Sequence, residues 1–185
     1  MVYVFLAEGF EPIEAVTPID MLRRAGIDVT SVSIGESLEV KASRDITVLA
    51  DMMFSDACFS DAEMLILPGG PGTHRLEEHA GLCSLLRDYA ASGKPIAAIC
   101  AAPSVLGHLG LLDGRRATVY PGCGDGLDNV CFTGRFVEQD GNFITAAGPA
   151  ASFEFGAAII GYLRGSGVRE SVCGSMLANC VGPQR

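Results

Sequence analysis

Gly93-Lys94-Pro95-Ile96-Ala97-Ala98-Ile99-Cys100-Ala101-Ala102-Pro103 is the stretch around which the rest of the chain arranges itself. Pro95 to Ile99 is short, apolar and bounded by breakers, the pattern of a parallel strand covered on both faces. Pro103 suits the first turn of a following helix. Cys100 therefore falls at a strand-to-helix junction, where the helix amides and the positive end of the helix dipole favour thiolate over thiol. Ala98, Ala101 and Ala102 are small enough for the tight turn of a nucleophile elbow, although the full Gly-x-Ser-x-Gly pattern is absent. A plain core cysteine is the competing reading, since free Cys is among the most buried residue types.

Outward from that stretch, strands and helices alternate. Upstream, Ala62 to Leu67 is a buried strand ending in Pro68-Gly69-Gly70-Pro71-Gly72, and Leu76 to Ala91 is an amphipathic helix. At the start, Val2 to Ala7 is a strand, Glu8 to Pro12 breaks it, and Ile13 to Ala25 is a helix stopped by Gly26. Ile27 to Ile34 is a second strand, and Val40 to Leu49 holds two short strands around Ser43-Arg44-Asp45. Downstream, a helix runs to about Gly110, then a strand lies near Ala117 to Tyr120. A hairpin follows, with Phe136–Glu138 and Phe143–Thr145 joined by a turn over 139–142. Phe153 to Leu163 is a helix that is apolar on most sides. This alternation implies a mostly parallel sheet with helices on both faces, whose ligands bind outside the strands' carboxyl ends. Three features fall at that rim: Glu8 to Glu14, the glycine-rich loop, and Cys100.

At 185 residues and 49% hydrophobic content, one domain over 1–185 is expected, with 166–185 a weakly structured tail or short helix. A net charge of -9 offers no basic patch for nucleic acid or an anionic membrane. The start of the sequence has no basic leader, and no apolar run reaches about 18 residues. Seven cysteines (58, 83, 100, 123, 131, 173 and 180) contain no Cys-x-x-Cys pair. Reduced thiols in the cytoplasm are the expectation, with a tail pair at Cys173 and Cys180 able to oxidise. No metal is expected, because neither His nor Cys shows ligand spacing.

A nucleophilic Cys must fall well below its free pKa of about 8.5. Three units amount to about 4 kcal/mol, of which a helix dipole supplies at most about 2. The three histidines, His74, His79 and His108, are not adjacent to Cys100 in sequence. Glu14, one turn into the first helix, is the other candidate. Two anions in contact share one proton, and a protonated Glu14 would donate to the thiolate and act as a general acid. The plainer alternative is an acidic first-turn residue complementing its own helix dipole. The glycine loop is either a bare tight turn or one side of an oxyanion hole, with the Gly70 and Ala101 amides facing one substrate oxygen. His74, just past that loop, is a solvated helix-entry residue or a pocket residue.

Glu11-Pro12-Ile13-Glu14, Ser43-Arg44-Asp45, Leu67-Pro68-Gly69-Gly70, Ala97 to Pro103, and Gly148-Pro149 with Ser152-Phe153-Glu154-Phe155 resemble the DJ-1/ThiJ/PfpI superfamily, most closely its DJ-1/ThiJ branch. The resemblance covers about residues 1–165. It implies a flavodoxin-like three-layer α/β sandwich of the class I glutamine amidotransferase-like kind, usually homodimeric and without a cofactor. By this likeness Cys100 matches the reactive cysteine, Glu14 its protonated partner, and Gly70 and Ala101 the backbone donors. Gly69, Arg44, Arg24, Tyr120, Gly148 and Pro149 match the surroundings of the site, Arg24 at the dimer interface. Two departures stand out: Tyr120 where many relatives carry His, and Ala147 where some carry Arg. Ala101 stands where protease relatives have His, which argues against peptidase activity. The expected function is cofactor-independent glyoxalase-III-like or deglycase-like action on α-oxoaldehydes or on glycated protein. The alternative is an oxidative-stress sensor or chaperone-like protein working through oxidation of Cys100 to sulfinic acid.

Overall fold

In the computed structural model, which describes residues 1–178, seven strands form one sheet. In spatial order they are Val137–Asp140 (β10), Phe143–Ala146 (β11), Ile96–Ile99 (β7), Met64–Leu67 (β6), Val2–Leu6 (β1), Val29–Ser33 (β2) and Met52–Met53 (β5). All neighbours pair parallel except β10 with β11.

Side-chain alternation along these strands makes two cores. β1 sends Val2, Val4 and Leu6 to one face, where they meet Met64, Ile66, Ala97 and Ile99. Helices Pro12–Arg24 (α1), Ser152–Arg164 (α5) and Ser166–Ser175 (α6) cover this face with Met21, Leu22, Phe155, Ile159 and Val172. Tyr3, Phe5 and Ala7 point the other way, with Leu65, Leu67, Ile96 and Ala98. Helices Thr73–Glu78 (α2), Ala80–Ala91 (α3) and Pro103–His108 (α4) cover that face with Leu76, Leu82, Leu86 and Leu106. Strands buried on both sides are apolar throughout, which is why β1, β6 and β7 show no polar alternation in sequence. The result is the expected flavodoxin-like α/β sandwich.

Strand order also fixes where the site lies. From β1 the chain moves outward to β2 and β5, and from β6 it moves in the opposite direction to β7 and β11. Connections therefore diverge between β1 and β6, leaving a crevice at their carboxyl ends. The β1–α1 loop and the glycine loop after β6 flank that crevice.

Local structure departs from the sequence expectation in several places. The helix expected over Leu76–Ala91 is two helices, broken at His79, whose backbone is extended and whose Nδ1 accepts the Leu82 amide at 2.9 Å. Such side-chain capping starts a new helix where hydrophobic periodicity alone continues the old one. The hairpin turn is Gly141-Asn142, tighter than the expected 139–142, because Asp140 pairs with Phe143 across it. The strand expected at Ala117–Tyr120 is only Arg116–Ala117 (β8), paired with Cys131–Phe132 (β9). Glu39–Lys41 (β3) and Thr47–Leu49 (β4) form the expected small pair around Ser43-Arg44-Asp45. Beyond Gly165 the chain is helical as α6; Cys180, and with it the expected Cys173–Cys180 pairing, lies outside the described residues.

Candidate active site

Three consecutive neighbours in the sheet each contribute one part of the site at their carboxyl ends. Cys100 follows β7, Gly69 and Gly70 follow β6, and Glu14 lies in the first turn of α1, after β1. Cys100 has φ +65°, a left-handed conformation that costs a non-glycine residue about 1–3 kcal/mol. Two backbone bonds hold it there. Its amide donates to the Ala146 carbonyl and its carbonyl accepts the Tyr120 amide, both at 2.8 Å. This is the strained strand-to-turn geometry of a nucleophile elbow.

The glycine loop is pressed against this elbow. A Cβ on Gly69 would lie 2.8 Å from the Cys100 Cβ and 2.9 Å from the Ala101 nitrogen. Gly70 has φ +104°, and its carbonyl accepts the Thr73 amide and hydroxyl. On the loop's other side the Gly69 carbonyl accepts the Glu11 amide at 2.9 Å, joining it to the start of α1. The amides of Ala101 and Gly70 are directed at the Cys100 sulfur. The sequence expectation aimed them at a substrate oxygen, but with the thiol unreacted the sulfur itself takes both.

Glu14 is fully buried. Its Oε2 accepts the Gly69 amide at 2.9 Å, and the carboxyl interacts with the Cys100 thiol. Oε1 has no nitrogen or oxygen partner among the described residues. Burial drives the Glu14 pKa up to about 7, against the Cys100 thiol and the Gly69 amide, with the Glu11 charge adding to the rise. Burial also pushes Cys100 up to about 12, helped by the Glu14 charge and opposed by the two amides. The expected lowering of the thiol by a helix start is therefore overturned. α4 has only six residues, and desolvation outweighs it. Each group resists a second charge beside it, so the pair loses its first proton near neutral pH, from Glu14, and holds the second well above it.

The remaining candidates divide. Gly148 is buried and Pro149 half-buried, two and three residues beyond the Ala146 that binds the Cys100 amide. Tyr120 is 47% exposed, directly against Gly148. Arg44 is exposed with φ +74°, and among the described residues it has no ion pair. Its neighbour Ser43 is tied to the start of α1, donating its amide to the Phe10 carbonyl and its hydroxyl to Glu11. Arg24 is not brought to the site within one chain. It is ten residues beyond Glu14, about 15 Å along the helix, paired with Asp20 at 2.7 Å. The histidines also lie elsewhere: exposed His74 contacts the Pro71 carbonyl, His79 caps α3, and His108 pairs with Glu77. Sequence reasoning missed the Gly69 amide as the partner of Glu14 and the charge of Glu11 beside it. The spacing of a tight turn does not show which of its amides points inward.

A cavity of about 610 Å³ opens elsewhere, lined by Glu8, Glu36, Lys41, Arg75 and His79 among others, and does not include Cys100. Among the described residues no group of His, Cys, Asp and Glu is placed to hold a metal, and no helix is long and apolar enough to cross a membrane.

Together these features define a flavodoxin-like α/β sandwich with a cysteine elbow, paired with a buried glutamate, at its topological switch point. The chain belongs to the DJ-1/PfpI family, whose model matches residues 1–161. It is 38% identical over 161 residues to Protein DJ-1 homolog B of Arabidopsis thaliana, covering 86% of this chain and 37% of that one. The two Arabidopsis relatives are longer proteins, of which the chain spans 37% and 46%. With the Parkinson disease protein 7 homolog of Danio rerio it shares 36% identity over 174 residues, covering 91% of this chain and 92% of that one. A protein of Pyrococcus abyssi named as a deglycase is 30% identical over 150 residues, covering 80% and 90% of the two chains. The structure of oxidized Toxoplasma gondii DJ-1 superposes with a TM-score of 0.90 at 34% identity, covering 96% of this chain and 98% of that one.

Glu14 makes stability depend on pH in a definite direction. Its folded value, about 7, lies above its ordinary value of 4.5, so the fold binds this proton more tightly than the unfolded chain. The contribution is complete below about pH 4.5 and is lost as pH rises through about 7. Relative to Glu14→Gln, the native protein is expected to lose on the order of 3 kcal/mol over that window, read from urea titrations at pH 5 and pH 8. Parallel pH profiles for the two proteins would mean that Glu14 titrates like an exposed carboxylate.

Proposed function

We propose that the protein converts α-oxoaldehydes, or the early adducts they form on amines and thiols, into 2-hydroxy acids, with Cys100 as nucleophile and Glu14 as proton carrier. The observation that carries this reading is a fully buried carboxyl, with one oxygen unpaired among the described residues, beside a cysteine held at a strained elbow. The resting charge sits on the Glu14 carboxylate, and proton transfer from the thiol to it generates the attacking thiolate, which the donors stabilise. Two amides face the thiol, whereas Glu14 has one amide and an oxygen left without a partner. A proton on Oε1 turns that orphan acceptor into a donor to the thiolate.

The chemistry then closes without a cofactor. The thiolate adds to the aldehyde carbon, the carbonyl electron pair moves to oxygen, and Glu14 protonates that oxygen to give a hemithioacetal. Glu14, now a carboxylate, removes the proton from the carbon bearing sulfur, and the electron pair passes through the new carbon–carbon double bond to the ketone oxygen, giving an enediolate. Returning this proton to the neighbouring carbon, while the hydroxyl proton shifts between the oxygens, gives a thioester of the hydroxy acid. Water, deprotonated by Glu14, attacks the thioester, and the carbon–sulfur bond breaks to restore the thiolate and the neutral acid. The net change is the addition of one water, with no external oxidant or reductant. An early adduct enters by first releasing its amine or thiol and the free aldehyde. The Pyrococcus relative named as a deglycase supports this class of substrate.

A second reading uses the same sulfur as a peroxide sensor. Each of two peroxide molecules transfers one oxygen to the thiolate and leaves as water, giving a sulfinate that accepts hydrogen bonds from Glu14 and the two amides. It is favoured by the 8% exposure of Cys100, enough for a small oxidant, and by the relative whose structure is titled as oxidized.

We also infer a homodimer. Ile13 and Val16, one turn apart on α1, are 52% and 47% exposed, and Ile46 and Leu49 on the β3–β4 hairpin are 49% and 68% exposed. Ser43 bonds that hairpin to the start of α1, so the two exposed pairs belong to adjoining elements. A second copy covering them would be close to the Glu14 end of α1.

Cys100→Ala is expected to abolish lactate formation from methylglyoxal, and Glu14→Gln to lower kcat by about 100-fold or more; native protein that forms no lactate at micromolar concentration removes the enzymatic reading. For the sensor, mass spectrometry after graded peroxide should find two oxygens on Cys100 before any other thiol is modified, and even oxidation across the cysteines would count against it. Light scattering should give twice the 19.3 kDa chain mass, reduced to one chain in the double variant Val16→Asp, Leu49→Asp. A monomeric native protein would end the dimer assignment.

A further inference from the structure

The segments that clasp Cys100 on its Ala146 side carry exposed aromatic residues. Tyr120 is placed there by two independent contacts. Its amide binds the Cys100 carbonyl at 2.8 Å, and its ring lies on Gly148, where an added Cβ would come within 3.2 Å of the Tyr120 Cδ2 and 3.6 Å of Cε2. Gly148 in turn is two residues beyond Ala146, whose carbonyl holds the Cys100 amide. The ring is thus tied to the nucleophile from both sides, yet it is 47% exposed, and its hydroxyl has no hydrogen bond among the described residues. Phe136, whose carbonyl accepts the amide of Ala147 next to Gly148, is 50% exposed.

Charge is distributed to match. Glu14 and the Glu11 charge that raises it stand on the α1 side, and Ala147, between the two aromatic segments, carries none. The cation next to Phe136, Arg135, faces Glu138 at 3.5 Å, and Arg24 is held by Asp20 at the far end of α1. Arg44, exposed and without an ion pair among the described residues, is on the hairpin bonded to the start of α1. The aromatic side itself therefore offers no unpaired cation to an anionic substituent, whereas an uncharged planar group there meets the face of a ring.

Building on the reaction proposed above, we propose that Tyr120 determines specificity by stacking on the substituent of an uncharged aryl α-oxoaldehyde, so that aryl substrates are selected over alkyl ones. The chemistry at Cys100 is unchanged; only the group attached to the ketone carbon differs. Because its segment is bonded to the backbone of Cys100 itself, the exposed ring is within a few residues' reach of the group bonded next to the reacting carbon.

The test compares phenylglyoxal with methylglyoxal. In Tyr120→Ala the ratio of their kcat/KM values should fall about five- to tenfold, and Tyr120→Phe, which keeps the ring, should retain it. An unchanged ratio in Tyr120→Ala, or an equal loss in Tyr120→Phe, overturns the proposal. A binding arm separates this outcome from failure of the proposed reaction. In Cys100→Ala protein, which lacks the nucleophile, acetophenone is titrated with and without Tyr120→Ala. Binding weakened by a similar factor upholds the aryl site even if neither aldehyde is turned over, and binding indifferent to Tyr120 overturns it even if both are.

Discussion

A carboxyl group without access to water is the constraint on which the rest of this site depends. Glu14 has one amide for its two oxygens, and ionised in that position it would leave an acceptor unpaired at a cost of a few kcal/mol. The fold tolerates it because a proton and a sulfur atom are at hand. Gly69 contributes twice to this arrangement. Its amide binds Oε2, and its missing side chain lets the loop approach the elbow to a distance that any Cβ would forbid.

Strand order explains why the intervening loop must be so small. Cys100 and Glu14 come from β7 and from the helix after β1, and β6 lies between those strands. The loop after β6 therefore sits between the thiol and the acid, and must be thin enough for them to touch across it. Gly70, at φ +104° with Glu11 and Gly9 backbone against it, turns its own amide to the sulfur while the Gly69 amide goes to the carboxyl. One loop thus divides two donors between two groups that share a proton, and a bulkier loop would separate the pair.

The parts of this arrangement that depend on local pattern were legible in the sequence. Small residues around Cys100, breakers on either side of β7 and unbroken apolar strands were enough for the elbow, the sandwich and the rim where the three segments meet. What stayed hidden depends on distant parts of the chain. The Ala146 and Tyr120 backbone groups that clasp Cys100, and the burial that raises its pKa, come from segments some 20 and 46 residues downstream. The dipole of α4, six residues long and stopped at Gly110 as the sequence indicates, is outweighed at Cys100 by desolvation that no local pattern reveals. Hydrophobic spacing carries one amphipathic helix through His79, because capping is a side-chain contact to which such spacing is blind. Arg24, matched to the site by resemblance, lies within one chain at the other end of α1, paired with Asp20.

With the histidines placed elsewhere, the proton traffic of the proposed reaction falls on one carboxyl. That requires Glu14 to be an acid when sulfur attacks, a base when the carbon proton leaves, and a base again towards water. An ordinary carboxyl near 4.5 is a poor donor partner for a thiolate because it has already given its proton away at neutral pH, and a carboxyl far above 7 would not give it up in time. A value near 7 lies where both roles are accessible, and burial is what sets it there. The apolar surroundings that raise the cost of charge on sulfur are therefore the same surroundings that make the carboxyl useful. Formation of the carbon–sulfur bond discharges the sulfur, and the Ala101 and Gly70 amides are then free to turn to the oxygen beside it. On this account the two amides serve the thiolate and the oxyanion in succession, so a single pair of donors follows the negative charge as it moves from enzyme to substrate.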